Sequence, residues 1–142
     1  MKVKKHDLQN IAHEVLEKLP KEGEKAAVVA LQGDLGAGKT TFTQALAAEL
    51  GITETIQSPT YVLMKDYPIS FGRFTKLIHI DAYRLESPEE FAALKPETFL
   101  TNPENLVVIE WPERIEGQLP TPDMVLKFSH DGTSDEERYI EM

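Results

Sequence analysis

The chain has 142 residues, 41% of them hydrophobic, and carries a net charge of −9 from 24 acidic and 15 basic side chains. That length suits one compact domain, residues 1–142, with its own core, and the acidic balance argues against unaided nucleic-acid binding, which draws much of its affinity from phosphate neutralisation. There is no cysteine, which excludes disulfides and thiolate metal sites, and without a membrane-length apolar run or an apolar signal core at the N-terminus the expected location is cytoplasmic, with no membrane partner.

The first predicted element is an amphipathic helix from Asp7 to Leu19, because Leu8, Ile11, Ala12, Val15, Leu16 and Leu19 recur at helical spacing. Asp7 is placed to cap it, and Pro20 and Gly23 end it. His6 and His13 lack a third partner, so no zinc site is read there. The apolar run Ala26-Ala27-Val28-Val29-Ala30-Leu31 predicts a buried strand, and Lys39 to Leu50 a helix with Gly51 just beyond its C-cap.

Between strand and helix lies Gly33-Asp34-Leu35-Gly36-Ala37-Gly38-Lys39-Thr40-Thr41, which fits the phosphate-loop pattern G-x-x-x-x-G-K-S/T. By residue frequencies the pattern arises in roughly 0.5% of chains of this length, and the strand before it and the helix after it favour a nucleotide site over a glycine-rich turn. Glycines permit positive φ and leave no side chain between backbone amides and a phosphate. Successive N–H groups then form an anion nest at the positive end of the helix. Lys39 is expected to reach the β and γ phosphates, and Thr40 to offer its hydroxyl to Mg²⁺. Thr41 is either a second phosphate contact or a first-turn helix residue.

Ile52 to Tyr61 reads as a polar connection shaped by Pro59. Within it Ser58, Thr60 and Tyr61 form either a switch-like segment that senses the γ phosphate or a rigid Ser-Pro turn. A strand over Tyr61–Tyr67 is expected to end at Pro68, with a turn over Ile69–Phe74. Lys76–Asp81 predicts a strand ending in a carboxylate, and Ser87 the N-cap of a short helix beginning at Pro88. Pro96–Pro103 predicts another short helix and loop. Leu106–Ile109, the most apolar strand, is closed by Glu110, Trp111 and Pro112. Met124–Phe128 and Arg138–Glu141 form a final hairpin about Asp131-Gly132. Strand–helix alternation followed by a hairpin predicts a three-layer α/β domain, with a mixed, mainly parallel central sheet and antiparallel edge strands. Its active face lies at the carboxyl ends of the parallel strands.

A phosphate loop needs an acidic partner at the end of a hydrophobic strand. Asp81 and Glu110 both qualify. Glu110 is assigned with Thr40 to the metal, and Asp81 to a second catalytic role alongside Lys39; the plainer alternative for each is a solvated strand-end acid. Trp111 either lies beside the nucleotide or packs half-buried. Arg84 either stabilises phosphate charge or pairs with a neighbouring acid.

Four blocks together, the loop at Gly33–Thr41, S-P-T-Y at Ser58–Tyr61, D-x-Y-R-L at Asp81–Leu85 and E-W-P at Glu110–Pro112, resemble the TsaE family, formerly YjeE, in order and spacing. The resemblance implies a P-loop NTPase-like fold, ATP rather than GTP, Mg²⁺ as cofactor and weak hydrolysis to ADP and phosphate. It also implies docking onto a TsaB–TsaD complex, which places a threonylcarbamoyl group on an adenosine of tRNAs reading ANN codons, so that tRNA is met only indirectly. By the same resemblance Lys39 and Thr40 contact phosphate and metal, Glu110 is the metal-linked acid and Asp81 the other catalytic acid. Trp111 is then the nucleotide-proximal tryptophan, and Ser58–Tyr61 the switch-like loop. Asp7 departs from the family's frequent threonine before the first helix, which puts a base or sugar contact there in doubt. The competing functions are a small-molecule kinase, which needs an acceptor pocket and clustered arginines, and a nucleotide-dependent adaptor without significant turnover. A guanine-specific switch is disfavoured because no N-K-x-D motif is present.

Overall fold

The computed structural model describes residues 2–4, 7–33, 38–53, 64–85, 87–115, 117, 119–130 and 137–141. In chain order its elements are β1 (Lys2–Lys4), α1 (Leu8–Lys18), β2 (Ala27–Gly33), α2 (Lys39–Glu49), β3 (Met64–Phe71), β4 (Phe74–Asp81), α3 (Pro88–Ala92), α4 (Glu97–Leu100), β5 (Asn105–Glu110), β6 (Met124–His130) and β7 (Glu137–Glu141). Single 3₁₀ turns follow β4 at Ala82–Arg84 and β5 at Pro112–Ile115.

The described strands form one sheet in the order β1-β7-β6-β2-β5-β4-β3. Its four central strands, β6, β2, β5 and β4, run parallel, and antiparallel pairings at the two sides complete it. The sheet is therefore mixed as the sequence predicts. β2 is central and covered on both faces, which is why it reads as an unbroken apolar run instead of an alternating one. Ala27, Val29 and Leu31 face the cluster shared with α1 and α2. Ala26, Val28 and Ala30 face the cluster shared with Phe91, Phe99 and Ile115 on the opposite side. Each fully buried Leu, Ile or Val contributes about 1.5–3 kcal/mol relative to exposure, so these two clusters hold the three layers together.

Helix α1 buries Leu8, Ile11, Ala12, Val15 and Leu16, the expected stripe, and packs on α2 with Gln9 donating to the Ala45 carbonyl and the Glu49 carboxylate. The end of α2 is a Schellman motif, in which Gly51 (φ +80) and Ile52 donate back to Ala48 and Ala47. At the other end of the parallel strands the Arg73 guanidinium gathers the carbonyls of Pro20, Lys25 and Pro103. It thereby ties together the approaches to β2, β4 and β5.

The structure differs locally from the sequence expectations. Strand β3 does not stop at Pro68 but continues to Phe71, and the turn contracts to Gly72 and Arg73. Proline is tolerated because β3 is the outermost strand of the sheet, where a missing N–H leaves no ladder bond unmade. Neither Asp7 nor Ser87 makes a side-chain cap hydrogen bond to its helix, and Asp7 itself is helical in φ and ψ. β1 pairs with β7; three residues are too few for a periodicity to announce them. The Asp131-Gly132 turn lies outside the described residues.

Candidate functional site

The parallel strands β4 and β5 end level with one another, beside β2, which runs two residues further to Gly33. Leu31 of β2 pairs with Glu110 of β5, and Glu110 pairs with Asp81 of β4. Side chains alternate along a strand. Leu77 on β4 and Leu106 and Val108 on β5 belong to the α1–α2 cluster, so His79, Asp81 and Glu110, in step with them, lie on that face as well. The sheet thus places two carboxylates and an imidazole under the amino end of α2.

The loop's two described glycines are shaped by steric demand. Gly33 has φ +146, and a Cβ there would stand 2.5 Å from the Phe128 carbonyl oxygen on β6. Gly38 has φ +106 and its carbonyl accepts the Phe42 amide, which starts α2 at Lys39. Lys39 is only 5% exposed. Its ammonium donates to the Gly33 carbonyl and stands 3.8 Å from the centre of the Trp111 ring. Thr40 donates its hydroxyl toward Glu110, at 3.2 Å from Oε1 and 3.4 Å from Oε2. Thr41 sits half-buried in the first turn of α2.

Glu110 is 3% exposed. His79, entirely buried, approaches its Oε2 through Nε2 at 2.6 Å, while the other ring nitrogen, Nδ1, has no hydrogen-bond partner. Spacing between histidines does not single out His79 in the sequence. The available signal was parity: a polar residue in a buried strand, two before Asp81, must share Asp81's face. Asp81 accepts the Tyr83 amide at 3.0 Å. Trp111 adopts φ +61 and donates its amide to the Leu31 carbonyl at 3.2 Å. A left-handed backbone in a non-glycine residue costs about 1–2 kcal/mol, and here it turns the indole over Lys39. The Tyr83 ring lies 5.0 Å from Trp111, and the Arg114 guanidinium 5.1 Å from Tyr83. Two adjoining aromatic rings, Trp111 and Tyr83, thus line the wall of the site between the cations of Lys39 and Arg114.

Gly33, Gly38, Lys39, Thr40, Asp81, Glu110 and Trp111 are thus gathered at one end of the sheet. Asp34, Leu35, Gly36, Ala37, Ser58, Thr60 and Tyr61 lie outside the described residues, as does the Arg84 side chain. The oxygen donors suit a small hard cation. Adjacent ligands of an octahedral Mg²⁺ stand about 2.9 Å apart, and Mg²⁺ is held by one or two protein groups plus phosphates rather than by a protein cage. The Thr40–Glu110 separation is close to that edge. Among the described residues no group of three or more His, Cys, Asp or Glu could by itself hold a metal ion. No helix among them is long and apolar enough to cross a membrane.

The family model described as threonylcarbamoyl adenosine biosynthesis protein TsaE matches residues 3–140. The chain belongs to the TsaE family. It is 38% identical over 119 residues to the tRNA threonylcarbamoyladenosine biosynthesis protein TsaE of Haemophilus influenzae, an alignment covering 84% of this chain and 71% of that relative. It is 40% identical over 113 residues to the TsaE of Bacillus subtilis, covering 80% of this chain and 66% of that one. The fold is similar to the crystal structure of Bacillus subtilis YdiB, with a TM-score of 0.65 and 30% identity over 99% of this chain and 82% of that one. The TsaE fold is P-loop NTPase-like, and it fits nucleotide binding.

Proposed function

We propose that this chain is a cytoplasmic, single-domain ATPase of threonylcarbamoyladenosine biosynthesis, which binds ATP with Mg²⁺ at Gly33–Thr41 and hydrolyses it slowly to ADP and phosphate. Its nucleotide cycle resets a TsaB–TsaD-type transferase complex, and it meets tRNA only through that complex. One observation carries the reading: Thr40 of α2 is hydrogen-bonded to Glu110 of β5, far away in sequence, where the parallel strands end, with the neighbouring Lys39 over the Trp111 ring. Membership of the TsaE family supports a role in the threonylcarbamoyladenosine modification of tRNA. The net charge of −9 favours a protein partner over bare RNA.

In this reading the amides at the amino end of α2, with those of Asp34, Leu35, Gly36, Ala37 and Thr41, cradle the phosphates. Lys39 exchanges the Gly33 carbonyl and the indole face for phosphate oxygens, which are stronger partners for an ammonium. Thr40 and Glu110 supply the oxygens that hold Mg²⁺. When bound, Mg²⁺ neutralises charge developing on the transferred phosphoryl group. Asp81, one strand over from Glu110, orients the attacking water and receives its proton. Ser58, Thr60 and Tyr61 report occupancy of the γ-phosphate position, and Trp111 closes the site beside the nucleotide.

The test is genetic and chemical. Depleting the protein should lower threonylcarbamoyladenosine in digested tRNA, and wild type but not Lys39→Ala should restore it. Normal modification in depleted cells would refute the assignment. Labelled phosphate recovered on a small acceptor, rather than free, would turn it toward a kinase.

A further inference from the structure

His79 is the buried polar residue whose place in the chemistry the proposed mechanism leaves open. It lies on β4, wholly enclosed, with one nitrogen on Glu110 and the other without a partner. An ionised carboxylate only accepts hydrogen bonds, so Nε2–H is the donor to Oε2. Stability alone accounts poorly for this arrangement. Buried polar pairs can often be replaced by apolar side chains without loss, and an unmatched ring nitrogen leaves a desolvation cost uncompensated.

What the contact does is fix the carboxylate. With Oε2 held by His79 at 2.6 Å, the other oxygen, Oε1, faces the Thr40 hydroxyl at the shorter of its two distances. We propose that His79 is a positioning residue that locks the Glu110 carboxylate so that Oε1 is the oxygen offered to the divalent cation beside Thr40. The inference rests on the nucleotide and metal reading given above. It goes beyond that reading by assigning the cation's affinity partly to a side chain that never touches the cation.

The experiment compares ADP dissociation constants of the full chain in EDTA and in saturating Mg²⁺; their ratio isolates the cation's contribution without turnover. Removing the hydrogen-bond partner of a metal ligand typically costs about 10–100-fold in metal affinity, so His79→Leu should shrink the ratio by that factor and leave the EDTA value unchanged. His79→Gln, which can still donate an N–H to Oε2, should keep most of the ratio. In a Glu110→Gln background His79→Leu should have no further effect, because His79 acts through Glu110. If His79→Leu does not fold, His79→Asn takes its place, its amide being too short to reach Oε2. A ratio unchanged in the donor-lacking variant, or lost equally in His79→Gln, would overturn the inference while leaving the nucleotide site standing. No Mg²⁺ effect in the wild type would instead overturn the reading on which it rests.

Discussion

Replacing Gly33 with alanine tests how the phosphate loop is anchored. Gly33 pairs with Phe128 in the β2–β6 ladder, and a Cβ at Gly33 would meet the Phe128 carbonyl oxygen at 2.5 Å. That neighbour is main chain held in a sheet and cannot rotate away. Relieving such an overlap by backbone shifts costs about 1–3 kcal/mol, and holding alanine at φ +146 costs about 1–3 kcal/mol more. Gly51 supplies the control: its φ is +80 but nothing stands within 4 Å of its Cβ position, so Gly51→Ala should lose only the conformational part, about 1–2 kcal/mol. For a chain of this size each kcal/mol lowers Tm by about 3–4 °C. Gly33→Ala should therefore melt roughly 6–24 °C below wild type, and Gly51→Ala only about 3–8 °C below. Calorimetric melts of the three proteins without nucleotide decide it. A Gly33→Ala protein as stable as Gly51→Ala would refute the close approach of β6 to the loop.

Glu110→Ala should cut Mg²⁺-dependent ATP hydrolysis by at least roughly 10-fold, since even a residue one shell from a metal commands that much, while nucleotide binding measured in EDTA falls less; an unchanged rate would remove Glu110 from the site. Trp111 is the only tryptophan of the chain, and with the Lys39 ammonium 3.8 Å from its ring its emission should change when ATP draws Lys39 away. An emission spectrum indifferent to saturating ATP would contradict that exchange. The amide of Gln9, helped by His13, holds the Glu49 carboxyl below its ordinary value of 4.5. A depressed folded-state value adds stability that is present above pH 4.5 and is lost as the pH falls through the folded value. Gln9→Leu should therefore flatten the acid side of the stability profile, read as urea midpoints from pH 6 down to about 3, and an unaltered slope would show the contact to be idle.

The sequence made the centre of the fold readable because the strongest physical signals converge there. β2 and β5 are buried on both faces and read as apolar runs; α1 carries an uninterrupted stripe; the glycines about Lys39 have few other uses. The edges were less legible. Pro68 reads as a strand end because proline forbids a ladder bond, yet that prohibition lapses on an outer strand, and only the sheet order reveals which strand is outer. Asp7 and Ser87 have the side chains of N-caps, but tertiary packing set those helix starts without them. At the site, Glu110 and Asp81 were visible as carboxylates closing apolar strands. The bond from His79 to Glu110 was not, since it joins two strands whose register is fixed only by folding. The backbone of Trp111 was equally hidden: a positive φ in tryptophan is disfavoured locally and persists because its amide is bonded to β2 and its ring lies over Lys39.

The central claim is that Thr40 and Glu110 together present a divalent cation to a nucleotide held by Lys39. Titrating ATP calorimetrically into wild type, Lys39→Ala and Thr40→Ala, each with and without Mg²⁺, tests it most directly. The account predicts that Lys39→Ala loses binding under both conditions. It predicts that Thr40→Ala binds ATP as wild type does without Mg²⁺ but fails to tighten when Mg²⁺ is added. Full Mg²⁺-dependent tightening in Thr40→Ala, or undiminished binding by Lys39→Ala, would contradict it.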